Sequence, residues 1–294
     1  MRRVAIVGVG RLGGALALAL DRCGYKVHEL ITRNGTAPGL LRQLSKPARV
    51  SAIGSDDRIQ SDVVIIATSD QDIAAAAASI APRLSDHAMV FHTSGSLSSD
   101  VLHVAGMKGH AAGSIHPLIA VSDPVAGAAD FSDAYFCIEG TDDAVQVGRE
   151  IVSDLGGHEI VVNTSKKPLY HAAAVMSAGH LVALLATAHR LIAMAGVDPD
   201  RGKEALLVLS RSAIKNLSST VPEQALTGTF ARFDIAAFRR HLDSLENLAD
   251  DLGKDVYLTL GAASLELVKK CDENNELTEQ FIRELNIAKA EHKC

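Results

Sequence analysis

Apolar residues come in short unbroken runs in the first half of the chain and at helical spacing in the second. Residues 4–7, 26–32, 50–53, 62–67 and 88–92 read as strands, most of them apolar at successive positions, and 111–115, 134–138 and 159–162 continue the series. Between them, 15–20, 72–84 and 142–155 read as helices. Strands apolar on both sides, alternating with helices, predict a parallel sheet covered on both faces. Right-handed crossovers make that sheet doubly wound. Past Asn163-Thr-Ser-Lys-Lys-Pro168 the period changes, and helices are expected over 169–195, 199–217, 235–252, 254–271 and 278–289. The chain therefore divides into an α/β domain, 1–163, and an all-α domain, 164–294.

The first strand runs into Gly8-Val-Gly10-Arg11-Leu12-Gly13, and an Ala/Leu-rich helix follows. Glycine at 8 permits the turn out of the strand, glycine at 10 lets a pyrophosphate approach the backbone, and glycine at 13 lets the helix pack closely. The free N–H groups of that helix suit phosphate. A dinucleotide is the expected cofactor. The second strand ends at Thr32-Arg33-Asn34 with no carboxylate to take a ribose 2′-hydroxyl, and Glu29 falls too early, inside the strand. A guanidinium suits a 2′-phosphate, so NADP is expected over NAD. Ala67, Thr68 and Ser69 follow one strand and Ser94 and Gly95 another, which puts them at the same carboxyl edge as the glycines.

Composition narrows the class. The length of 294 residues accommodates two domains, and 47% hydrophobic with 22% charged residues is ordinary for a globular protein. A net charge of −6 with no basic stripe argues against nucleic acid as a partner. Cys23, Cys137, Cys271 and Cys294 are scattered, with no metal-type spacing, so no metal is expected and reduced thiols in the cytoplasm are the simplest account. The N-terminal apolar run is broken by glycines and reads as a core strand, not a signal peptide. The stretch 172–196 is apolar nearly all round but contains His180, His189 and Arg190. A buried helix is expected there instead of a membrane span, with a homodimer through the C-terminal helices to cover its second face.

Three segments carry polar chemistry in apolar settings. His116, in Ser114-Ile-His116-Pro-Leu118, stands where a strand empties into the expected crevice. Lys167 and His171, with Tyr170 between them, share one face of a helix start. Arg232 and Asp234, followed by His241, fall in and after a loop between helices. Reducing a C=O or C=N bond needs a proton donor beside the new heteroatom, and His116, Lys167 and His171 are the catalytic candidates. Arg232, Asp234 and His241 are the candidate substrate contacts, through a substrate carboxylate. Each has a plain structural alternative: a histidine satisfied by backbone, an exposed lysine at a domain junction, an internal ion pair.

Along nearly its whole length the chain resembles bacterial proteins with a Rossmann-like domain followed by a DUF2520 domain, similar in plan to 6-phosphogluconate-dehydrogenase-like reductases such as pyrroline-5-carboxylate and ketopantoate reductases. The resemblance rests on the glycine loop, His92-Thr-Ser-Gly95, Ser114-Ile-His-Pro-Leu118, Phe136-Cys-Ile-Glu-Gly140, Lys167-Pro-Leu-Tyr-His171, Ala225-Leu-Thr-Gly228 and Arg239-Arg-His241. The family pattern has Asn where this chain has Gly179, and Pro and Gly where it has Thr229 and Phe233. The resemblance implies the architecture more than the reaction; joined to the residues read above, it leads to the expectation of an NADP-dependent oxidoreductase acting on a small, carboxylate-bearing carbonyl or imine substrate in a cleft between the domains. The alternative is an NADP(H)-binding sensor or regulatory protein without turnover. A methyltransferase-like protein fits less well, because it would carry an acid at the end of the second strand.

Overall fold

The computed structural model describes residues 2–36, 39–107, 109–248, 250–269 and 275–292. Cys271, Cys294 and the end of the helix expected to reach 271 lie outside the described residues. Two compact units are present, Met1–Ala178 and Gly179–Cys294. The sheet unit thus keeps the segment 164–178, which the change of hydrophobic period had grouped with the helices.

In the first unit the order is β1 (Arg3–Val7), α1 (Arg11–Arg22), β2 (Lys26–Thr32), β3 (Arg49–Ala52), β4 (Val63–Ile66), α2 (Asp70–Ile80), β5 (Met89–His92), α3 (Asp100–Val104), β6 (Ala112–Pro117), α4 (Pro124–Gly127), β7 (Tyr135–Gly140), α5 (Asp142–Asp154), β8 (His158–Val161) and α6 (Lys167–Val175). The strands form one sheet in the order β3-β2-β1-β4-β5-β6-β7-β8. From β3 to β6 neighbours are parallel, as expected, but β7 is antiparallel to β6 and carries β8 parallel to itself. The β6–β7 connection, residues 118–134, carries only the one-turn α4, which packs on α1, and the chain comes back beside β6 in the opposite direction.

Alternation sorts the strands' side chains onto two cores. Val4, Ile6, Val63 and Ile65 pack with α1 and α5 on one face. Ala5, Val7, Val64 and Ile66 pack with α2 and α3 on the other.

The second unit comprises α7 (Leu181–Met194), α8 (Pro199–Ser219), α9 (Pro222–Ala225), α10 (Ile235–Asn247), α11 (Asp251–Lys269) and α12 (Asn275–Glu291). Its core is an aromatic cluster of Phe230, Phe238, Tyr257 and Phe281 with Leu258, Leu265 and Leu285. The break between α10 and α11 falls earlier than expected. Asp250, accepting from the Gly253 N–H and from Arg190, opens α11 there. The helix expected over 169–195 is interrupted by a π-helical turn, Met176–His180.

The expectation that this apolar helix is buried is overturned within the single chain. No residue of α7 is buried, and in α8 only Gly202 is. Within its unit, α7 packs on α8 and α11. By length and composition alone, Thr164–Met194 is apolar enough to cross a membrane. Within that stretch Arg190 is ion-paired to the nearly buried Asp250.

Candidate active site

The strand order reverses between β1 and β4, and the loops that follow these two strands diverge to leave a crevice. Gly8 has φ +87°, and a Cβ there would lie 2.8 Å from Thr68 Cγ2. Gly13 is pressed on the Gly8 carbonyl, where a Cβ would overlap it. Gly10 is the opposite case: a Cβ would meet nothing within 4 Å, so its backbone faces open space. α1 starts at this point without a side-chain cap or an acidic first turn. α2 differs, with Asp70 and Asp72 in its first turn and Ser69 Oγ donating to Asp72. Of the two helix N-termini at this edge, α1 is the one left ready for an anion.

A cavity of about 680 Å³ runs along this edge, lined by Gly8, Gly10, Thr32, Arg33, Thr68 and Ser69 among others. The exposed Arg33 guanidinium is at the end of β2, as expected. Asn34 instead serves its own turn, its side-chain oxygen accepting from the Thr36 N–H at 3.3 Å. Glu29 is fully buried and bound by Arg49 Nη2 at 2.7 Å and Ser51 Oγ at 2.8 Å, so it is structural.

A second cavity, about 420 Å³, adjoins the first through the shared residues Ala67, Thr68 and Ser69. Arg11, Leu12, Ser94, Gly95, His116 and His171 contribute to its walls. Thr68 Oγ1, in the shared wall, is buried without a hydrogen-bond partner, and so is His171 Nδ1.

The antiparallel β6–β7 pairing builds the deep wall. Ser114 faces Glu139 and His116 faces Cys137 across the ladder, all four on one side of the sheet. The first turn of α6 reaches that side. Lys167 is fully buried; its Nζ donates to Ser114 Oγ at 2.5 Å and to Glu139 Oε1 at 3.0 Å. Glu139 also accepts from Ser99 N at 2.9 Å and Ser99 Oγ at 2.7 Å, and Ser114 Oγ contacts Ser94 O at 3.3 Å. The ion pair therefore ties the loop after β5 to β6, β7 and α6. Burial pulls the Lys167 ammonium's pKa down, and Glu139 opposes that shift.

Tyr170, one residue before His171, is 2.9 Å from His116 Nδ1 through its hydroxyl. The His171 ring stands edge-on to His116, centroids 5.5 Å apart. Both imidazoles press on Gly95: a Cβ there would lie 2.8 Å from His116 Nε2 and would overlap His171 Nδ1. Burial, then His171 and Lys167, lower the His116 pKa to about 4. His92, beneath the same loop, is held to about 4 by burial and Lys167. Its Nδ1 accepts from the Ser94 N–H, and Nε2 lies 3.2 Å from Ser98 O.

Of the expected catalytic trio, His116 and His171 line the second cavity, and Lys167 sits behind that wall, paired and closed to solvent. Gly8, Gly10, Thr32 and Arg33 line the first cavity, Arg11, Leu12, Ser94 and Gly95 the second, and Ala67, Thr68 and Ser69 both. Arg232, Asp234 and His241 belong to the other unit. There Asp234 caps α10, accepting from Ala237 N at 2.9 Å, and His241 Nδ1 is 2.8 Å from the Tyr257 hydroxyl.

Residues 3–94 match the model of the family described as NADP oxidoreductase, coenzyme F420-dependent, and residues 134–264 match the domain of unknown function DUF2520. The chain joins an NADP-oxidoreductase-type Rossmann domain to a DUF2520 domain. This agrees with the NADP expected from Arg33. No curated relative matches the chain in sequence. Solved structures share the fold. BF3122 from Bacteroides fragilis superposes with a TM-score of 0.73 at 20% identity, over 90% of this chain and 97% of that one. TM1727 from Thermotoga maritima gives 0.71 at 22% identity, over 91% and 98%. Pyrroline carboxylate reductase from Plasmodium falciparum, with NADP bound, gives 0.61 at 11% identity, over 95% and 97%.

The DUF2520 segment begins inside the sheet unit. It contains Glu139, Lys167, Tyr170 and His171, and so supplies part of the second cavity's wall and all of its buried ion pair. Glu139 carried no expected role. Its one signal in the sequence is a carboxylate within the apolar run Phe136-Cys-Ile-Glu-Gly140.

Proposed function

We propose that the protein is an NADP-dependent oxidoreductase that exchanges a hydride with a small, carboxylate-bearing carbonyl or imine substrate. The observation that carries this reading is the pair of joined cavities, one ending at Arg33 and the other at His116 and His171. The residues present fit a dinucleotide. Gly10 offers open backbone, α1 offers an uncapped N-terminus, Thr68 Oγ1 lacks a partner, and Arg33 offers a cation for a 2′-phosphate. When bound, the nicotinamide supplies the hydride. The chain's own part is to orient the substrate and manage a proton. His116 faces the second cavity and is the residue placed to do so, with Arg11 available to a substrate carboxylate. Lys167, fully buried against Ser114 and Glu139, has a structural part in this reading.

Thermal-shift titration tests the cofactor. NADPH should raise the melting temperature more than NADH at equal concentration, and Arg33→Asp should abolish or reverse that order. Equal shifts in the unmutated protein would remove Arg33 from the reading. A panel of small keto acids and imino acids, read by NADPH consumption, tests the chemistry. If NADPH binds and no member of the panel is turned over, the regulatory reading takes its place.

The partner for the uncovered α7–α8 surface we take to be a second copy of the chain. Val182 (69% exposed) and Leu209 (66%) stand out in solvent on helices that otherwise carry core-type side chains.

A further inference from the structure

We infer that Tyr170 is a positioning residue that fixes the His116 ring proton on Nε2, so that the second cavity presents an imidazole N–H to the oxygen of a carbonyl substrate. The substrate half of this inference rests on the reductase reading above; the tautomer half stands without it.

The argument begins at the β6–β7 ladder, where His116 and Cys137 are opposite one another. The Tyr170 hydroxyl has both as neighbours, His116 Nδ1 at 2.9 Å and the Cys137 thiol beside it. A phenol has one proton to donate. An imidazole nitrogen is a good acceptor and sulfur a weak one, so the proton goes to Nδ1. Burial, with the Cys137 thiol beside it, pushes the Tyr170 pKa up, so the hydroxyl keeps that proton. His116 is uncharged near neutrality, because burial and the charges around it, with Lys167 and His171 outweighing Asp70, hold its pKa near 4. An uncharged imidazole carries one ring proton. With Nδ1 accepting, that proton is on Nε2.

Nε2 is the nitrogen that a Cβ at residue 95 would cover at 2.8 Å. Glycine at 95 lets the loop after β5 fit against His116 and His171, and all three residues line the second cavity. An Nε2–H is thus the ring donor of a residue that lines the cavity. An N–H donor attracts a carbonyl oxygen and repels the N–H of a protonated imine. In the reduction, hydride forms the new C–H bond and the C=O π pair moves onto oxygen. The oxygen takes the Nε2 proton as Nδ1 takes the phenol proton; Nδ1 then returns its proton to the Tyr170 oxygen as Nε2 takes one from solvent, which restores both groups. The sum is carbonyl, NADPH and one proton giving alcohol and NADP.

The experiment is nitrogen NMR of the imidazole rings in the cofactor-free protein at neutral pH. His116 is assigned by through-bond correlation and checked by its loss in His116→Gln. His116 should show a protonated Nε2 and an unprotonated Nδ1. In Tyr170→Phe that asymmetry should collapse towards a mixture of tautomers, while the other histidines keep their signals. A proton on Nδ1 in the unmutated protein would overturn the inference, as would an unchanged His116 signal in Tyr170→Phe. Because no cofactor is present, failure here leaves the NADP reading standing, and failure to bind NADPH leaves the tautomer result standing.

Discussion

Helices α1 and α7 are made of the same kinds of side chain and meet opposite surroundings. In α1 every residue from Gly13 to Leu20 is buried, between the sheet and α4. In α7, Leu181-Val-Ala-Leu-Leu-Ala-Thr-Ala, no residue is. Apolar composition fixes that a helix must be covered. It does not fix who covers it, because burial depends on elements distant in sequence or on another molecule. The same contrast separates the units as a whole. Both units pair their buried charges, Lys167 with Glu139 in the one and Asp250 with Arg190 in the other, but the helical unit also leaves apolar side chains such as Val182 and Leu209 without cover from its own helices.

Four measurements break or sharpen this contrast. The largest effect belongs to the buried pair. Glu139→Ala strands the fully buried Lys167 ammonium, and urea unfolding should show a loss of about 3–5 kcal/mol. A loss below about 1 kcal/mol would mean that Lys167 reaches water or sheds its proton at little cost. Next, Leu18→Ala in α1 should cost about 2–5 kcal/mol through the cavity it leaves.

The third effect is a pH dependence of the sheet unit. His92 has its folded pKa lowered from 6.5 to about 4, so the folded state binds fewer protons than the unfolded one between those values. Stability is therefore fully present above pH 6.5 and falls as pH drops towards 4, by about 3 kcal/mol for this residue. His92→Gln should flatten part of that slope. An identical slope in the variant would assign it to other groups.

The smallest effect on the fold should come from the exposed helix. Val182→Asp should leave the helical circular dichroism unchanged, since Val182 touches solvent. Its effect should appear in sedimentation instead, where the mass falls from twice 31.0 kDa towards 31.0 kDa. A protein already sedimenting at the monomer mass would show that α7 is not covered by a second copy.

Much of this molecule is local and was readable from the chain. The glycine loop, the strand–helix alternation and the Arg33 position are decided by residues within a few positions of one another. Turn sterics, side-chain period and helix dipoles act over that range. His116 was readable for the same reason, as a polar residue at a strand's carboxyl end. What surrounds it was not. The antiparallel direction of β7 puts Glu139 opposite Ser114 and Cys137 opposite His116. A parallel β7 would have offered a different register. The burial of Lys167, the hydroxyl of Tyr170 on His116, and Gly95 under two imidazoles all depend on that register and on where α6 lands. Hydrophobic period assigns a residue to a face of its own element. Which charge meets which across elements is set by strand direction and packing, and those exist only once the chain has folded.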